Sequence, residues 1–192
     1  MAFKGLRRQG YCPYTVDRDK DGNEVENLGT GKVLPQVMKF SASPTSDTTT
    51  IYGDDAVAEE EVAQGNGGLT VDTANLSLED QAALCGHRYS EAEGMVCADD
   101  DVAPFCRCAS LVPGVLRKKP FYRVVTYLRV SFAPVNDDYE TRGKTISYKT
   151  PTLSGSFYPN CDREWKDVRE FEDAAAALAY FNQMLNITAA AE

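Results

Sequence analysis

Histidine is almost absent from this chain: His87 stands alone, and no G-x-S-x-G run occurs, so the usual equipment for nucleophilic or acid–base catalysis is missing. No stretch approaches about 18 consecutive apolar residues, which removes any transmembrane helix candidate. The start, Met1-Ala2-Phe3-Lys4-Gly5-Leu6-Arg7-Arg8, also lacks the apolar block of a secretory signal. A soluble protein made in the cytoplasm is the expectation. Basic residues are in deficit too, 20 Lys+Arg against 29 Asp+Glu, and a net charge of -9 disfavours gripping nucleic acid, whose affinity comes mainly from counterion release by cations. The deficit is local. Residues 41–105 carry fourteen acids and one base, Arg88, whereas residues 106–192 carry twelve bases and ten acids. Such polarity lets copies of the chain present complementary faces to one another, although solvated acidic loops account for it equally well.

Metal-ligand spacing is lacking as well. Cys85, His87, Cys97, Cys106 and Cys108 offer only C-x-H and C-x-C, not the paired ligands with two to four intervening residues that zinc favours. With no export signal, the six cysteines read as reduced thiols, and Cys106 and Cys108 as alternate residues on one face of a strand. Asp17-x-Asp19-x-Asp21-Gly22 opens like a calcium loop but has Leu28 where the bidentate Glu belongs, so a polar hairpin loop is expected. Gly29-Thr30-Gly31-Lys32 is followed by Val33 rather than Ser or Thr and reads as a turn leading into a strand, not a phosphate loop. His87, just beyond a helix-ending glycine, is expected to be helix-terminal or merely exposed. Neither an enzyme nor a cofactor is expected.

What the chain does contain is β pattern. Its 192 residues, 43% hydrophobic and 26% charged, fit one domain with a real core. In Phe121–Phe132 the even positions Tyr122, Val124, Leu128, Val130 and Phe132 should face that core, and Thr145–Thr150 reads as a second strand of an antiparallel pair. Val33–Ser41 reads as a strand with Leu34, Met38 and Phe40 on one face. Ala56–Gln64 and Leu69–Thr73 flank Gly65-Asn66-Gly67-Gly68, the best local hairpin signal, and the polar run Ser41–Thr50 reads as a mobile loop. Two helices interrupt: Leu78–Cys85, with Ser77 and Asp80 as its cap and Gly86 as its stop, and Phe171–Asn186, striped by Phe171, Ala174, Ala175, Leu178, Phe181 and Leu185. The division expected is an arm or hairpin over 1–32, a β core over 33–158, and a helical extension over 159–192.

One ordered series of blocks is distinctive. The Tyr52-Gly53-Asp54-Asp55 block, an acidic strand, a Gly/Asn turn, a strand and a capped Leu-Ser-Leu-Glu helix ending in Leu-Cys-Gly-His come first. Ala103-Pro104-Phe105, Phe121–Phe132 and Thr150-Pro151-Thr152-Leu153-Ser154-Gly155-Ser156-Phe157 follow. Together, over roughly residues 30–160, the series resembles the major tail protein family of long-tailed bacteriophages. The resemblance implies a mainly β chain, a β-sandwich or barrel with a flanking short helix, similar to the inner-tube protein of type VI secretion, here with an additional C-terminal helix. It further implies a virion structural protein whose hexameric rings stack into the tail tube, the conduit for DNA ejection. Its partners would be its own copies, a tape measure protein in the lumen, terminator and distal tail proteins at the ends, and genomic DNA in transit without specific binding; no membrane is involved. On this reading Glu59, Glu61 and Asp72 are lumen candidates, and Asp54, Asp55, Arg123 and Arg129 are inter-subunit candidates. Ser43, Pro44, Thr45 and Asp47, with the arm Met1–Tyr14, are ring-stacking candidates. A capsid decoration protein or a minor tail protein with a related β domain is the alternative.

Overall fold

Apolar alternation at 105–116 and 119–132 fixes the centre of the molecule, because two such strands joined by a tight turn pair with each other before anything else. The computed structural model describes residues 2–53, 56–137 and 150–188. Among these, β1 (Ala2–Phe3), β2 (Arg8–Arg18), β3 (Glu24–Leu28), β4 (Lys32–Leu34), β5 (Val37–Gly53) and β6 (Ala56–Thr73) precede α1 (Leu78–Cys85). The small hairpin β7 (Arg88–Ser90) and β8 (Gly94–Val96) leads to β9 (Phe105–Leu116), β10 (Lys119–Phe132), β11 (Thr152–Tyr158), β12 (Lys166–Phe171) and α2 (Ala174–Met184). The chain is mainly β, with antiparallel ladders and two helices.

One sheet follows the order β3-β2-β9-β10-β11-β6-β5, and short strands fill what the long ones leave open. β12 pairs with β10 over Tyr122–Tyr127, and β11 takes the same edge over Arg129–Phe132. A one-residue irregularity between Tyr127 and Val130 of β10, opposite Cys108 and Cys106, marks the change of partner. The central strands pack on both faces. One face belongs to a core of Tyr11, Leu34, Val71, Leu84, Cys106, Cys108, Val130, Leu153 and Phe157. There Tyr127, Phe157 and Trp165 cluster, with ring centroids 4.9 Å apart for the tilted first pair and 5.4 Å for the stacked second. The other face of β2, β9 and β10 packs Cys12, Ala109, Leu111 and Val124 against Ala177, Phe181 and Leu185 from α2 and the residue after it.

The helix caps follow their sequence signals. Ser77 Oγ accepts the Asp80 amide at 3.0 Å, its hydroxyl donates to Asp80 Oδ2 at 2.6 Å, and Gly86 closes α1 with φ 78°. The second helix starts later than its apolar stripe suggests: Phe171 ends β12, and Asp173 caps the helix by accepting the Ala176 amide at 2.9 Å. Residues 159–192 thus contribute a sheet strand as well as a helix.

Four expectations about strands are corrected. Gly65-Asn66-Gly67-Gly68 is not a turn; β6 runs straight through it and pairs with β5 along its length. The glycines serve close approach instead, since a Cβ on Gly67 would lie 2.4 Å from Phe157 Cζ and from the Ser43 carbonyl oxygen. Gly65, at φ 127°, is the extra residue of a bulge between the Ser46–Gln64 and Thr45–Asn66 pairs. The run Ser41–Thr50 is therefore strand, not loop. Val33–Ser41 is broken by a turn at Pro35-Gln36, with Gln36 at φ 51°, which leaves Met38 54% exposed. Residues 8–14 are no free arm either: β2 lies beside β9, with Tyr11, Cys12 and Tyr14 buried. The Asp17–Gly22 run leads, as expected, into a hairpin loop, residues 19–23 between β2 and β3, with Asp17 still paired to Val25, and Asp19 Oδ1 accepts the amides of Asp21 and Asn23. Residues 145–149 lie outside the described residues.

The Phe181 ring, fully buried between α2 and Gly10, anchors the outer core. Phe181→Ala should cost about 3–5 kcal/mol, read as a lowered urea midpoint with unchanged slope.

Candidate assembly surfaces

A strand needs partners for its amides and carbonyls, and β5 and β6 outgrow theirs. The two strands, 17 and 18 residues long, pair with each other from Val37–Thr73 out to Gly53–Ala56. β11 accompanies β6 only over residues 67–72. Beyond Gly67 the hairpin continues as a two-stranded ribbon, eight residues on the β5 side (46–53), a reach of roughly 25 Å at about 3.4 Å per residue. Among the described residues no third strand pairs with this ribbon. A lone two-stranded ribbon is marginal in water, and strand edges without a partner invite pairing with another chain. Pro44, on β5 opposite Gly67, is tolerated where an outward amide is not required, as on an edge strand.

The residues predicted to carry assembly fall in three places. Ser43, Pro44 and Thr45 are exposed on β5 near the ribbon's root, and Asp47 stands on the ribbon opposite Ala63. Glu59 and Glu61 pair by backbone with Ile51 and Thr49 on the ribbon. Asp72 does not join them: it lies at the other end of β6, half-buried, with its Oδ1 accepting the Thr152 hydroxyl at 2.7 Å. The lumen candidates are thus divided between ribbon and sheet. Asp54 and Asp55 lie outside the described residues.

Arg123 and Arg129 both have partners inside the subunit. Arg123, opposite Glu170 in the β10–β12 ladder, pairs with that carboxylate and lies 4.7 Å from the Phe3 ring centroid. Arg129 stacks 4.5 Å from the Phe105 ring centroid and reaches Glu24 at 3.9 Å. Nearby, Arg107 binds Glu26 at 2.7 Å, and the Cys161 thiol donates to Glu24 Oε2 at 3.3 Å. This belt fastens β3 to β9 and β10. Its members come from distant parts of the sequence, so no local pattern announces it.

His87 is not exposed: its side chain is 7% accessible, and Nδ1 meets Asp101 Oδ2 at 2.6 Å. Its amide also bonds the Ala82 carbonyl at the end of α1, so the helix-terminal half of the expectation holds. The Ala98 amide, then the His87 ring, hold the Asp101 carboxyl below its usual range. The thiols behave oppositely. Burial raises Cys108 well above the ordinary thiol value and pushes Cys106 up to about 12, with no compensating cation beside either. No group of three or more His, Cys, Asp or Glu capable of holding a metal occurs among the described residues.

Compared with known proteins, the chain matches no family model and no curated protein.

Two measurements check these environments. Under native conditions a thiol reagent should modify exposed Cys97 first, while Cys106 and Cys108 react only on unfolding; early loss of the Cys106 thiol would refute the packing. Because Asp101 has a lower pKa folded than unfolded, its stabilising share is complete above the ordinary carboxyl value near 3.8 and is lost as pH falls through the depressed value. Asp101→Asn should therefore be less stable than the parent at pH 7, with the difference shrinking in acid, as followed by thermal unfolding from pH 7 to pH 3.

Proposed function

We propose that this protein is a structural subunit that polymerises through its β5–β6 ribbon, as the tail tube proteins of long-tailed bacteriophages do, into stacked hexameric rings enclosing a conduit for DNA. The observation that carries this reading is the ribbon itself: eight residue levels of backbone pairing that extend past the sheet with both outer edges unmatched among the described residues. Sister copies satisfy such edges most economically, because identical ribbons placed side by side continue one ladder around a ring and leave no terminal edge.

The barrel-like form expected of that family has support as well. β4, on the β2 side of the sheet, and β5, at its far end, are separated only by Pro35 and Gln36. The Thr73 hydroxyl donates to the Pro35 carbonyl at 2.8 Å. The two ends of the sheet are thus brought to one corner, and the inner core draws residues from both. No ladder joins β4 to β5 among the described residues, so the sheet curls without closing.

The acid-rich sequence suits a conduit. Acids facing the lumen, Glu59 and Glu61 on the ribbon and Asp72 on the sheet, repel a passing polyanion rather than gripping it, an effect that persists over the roughly 8 Å screening length of physiological salt. On this reading the protein resides in the virion tail, is made in the host cytoplasm, acts without enzymatic chemistry or cofactor, and meets tape measure, terminator and distal tail proteins as partners. Arg123, Arg129, Asp54 and Asp55 then lie at or near contacts between neighbours.

Negative-stain micrographs of the concentrated protein should show rings or hollow tubes of uniform width. Replacing residues 46–64 by a two-residue Asn-Gly turn should leave the fold intact and abolish the assemblies. A parent chain that stays a monomer, or forms a discrete trimer, under the same conditions would overturn the reading, and the trimer would favour a capsid decoration protein.

A further inference from the structure

The strongest unclaimed chemistry sits at two places along β9, beside Leu111 and ahead of Phe105. Arg8 pairs with Leu111 and Tyr14 with Phe105, so the start of β2 and the segment preceding Phe105 are separated along β9 by six residues, roughly 20 Å. At the β2 end, Leu6, Arg7, Arg8, Gln9, Val33 and Leu34 are among the residues lining a cavity of about 280 Å³. Arg7 and Arg8 are exposed, and neither has an ion-pair partner among the described residues. Gln9 is only 1% exposed; its Oε1 accepts the Ser110 hydroxyl, and its Nε2 has no acceptor among the described residues. A buried donor without an acceptor is costly, and a carboxylate entering beside it offers an acceptor while neutralising the arginines.

The β7–β8 segment, which leads into Phe105, carries matching groups. Glu91, Glu93, Asp99 and Asp100 are exposed, as is Val102, which at 81% is the most exposed large apolar side chain among the described residues. The segment is held in shape, since the Asp101 carboxylate binds both His87 and the Ala98 amide. An exposed acidic knob bearing an exposed valine and a basic cavity with apolar lining are thus separate surfaces of one subunit. We infer that the 91–102 knob of one copy docks on the Arg7/Arg8 cavity of the next, a head-to-tail contact that stacks subunits along an open axis. This rests on the self-assembly reading above and assigns it a longitudinal surface distinct from the ribbon.

Charge exchange in the full-length chain tests it. Arg7→Glu/Arg8→Glu and, separately, Glu91→Lys/Asp99→Lys/Asp100→Lys should each raise the concentration needed for tube growth at least tenfold, while rings and the circular dichroism spectrum persist. Mixing the two variants should restore tubes, because each reversed surface then meets its complement. If both variants assemble as the parent does, the docking is wrong and self-assembly stands. Folded variants that fail alone and also fail when mixed would equally overturn direct contact. If the parent itself never assembles, the docking and the self-assembly reading fall together.

Discussion

Unsatisfied backbone is the constraint from which the rest of this structure follows. Every other long strand finds a ladder on at least one side and a packed face besides: β9 lies between β2 and β10, and the far edge of β10 is shared by β11 and β12. Among the described residues only the β5–β6 ribbon runs past its support. It is rooted firmly, because Val71 and Leu69 of β6 are buried and Gly67 lets Phe157 press directly on the strand. A rigid root with a projecting ribbon is costly for a solitary molecule and useful for one that meets its own kind.

The remaining architecture keeps that root rigid. The inner core joins both ends of the sheet and is capped by α1, whose Asp80 takes the Tyr11 hydroxyl at 2.7 Å and whose Glu79 takes Lys32. The outer core lays α2 over β2, β9 and β10, where Gly10 and Gly31 allow Leu185 to approach the backbone. Surface ion pairs contribute little individually. The belt of Arg107, Arg129, Glu24 and Glu26 matters more for fixing which strands are neighbours than for raw stability.

Much of the fold was legible in the sequence where local chemistry is unambiguous. The ends of α1 are announced by Ser77 and Gly86, and β10 by its apolar alternation. Legibility failed where one signal has two physical causes. Glycine marks turns and also close backbone approach, so Gly65–Gly68 suggested the wrong hairpin. A strand at the margin of a sheet need not carry an apolar period, so the largely polar Ser41–Thr50 and Lys166–Phe171 read as something other than sheet. Of the candidate site, the acidic segment was visible in composition. The engagement of Arg123 by Glu170, and of His87 by Asp101, depends on tertiary proximity that no local spacing encodes.

Hydrogen exchange at the amides of residues 46–53 and 56–64, measured across a dilution series of the intact protein, tests the central claim most directly. Fast exchange in dilute solution that gives way to strong protection as concentration rises, with the amides of β9 and β10 protected throughout, is the predicted result. Ribbon amides that exchange at one unchanging rate at every concentration would contradict it.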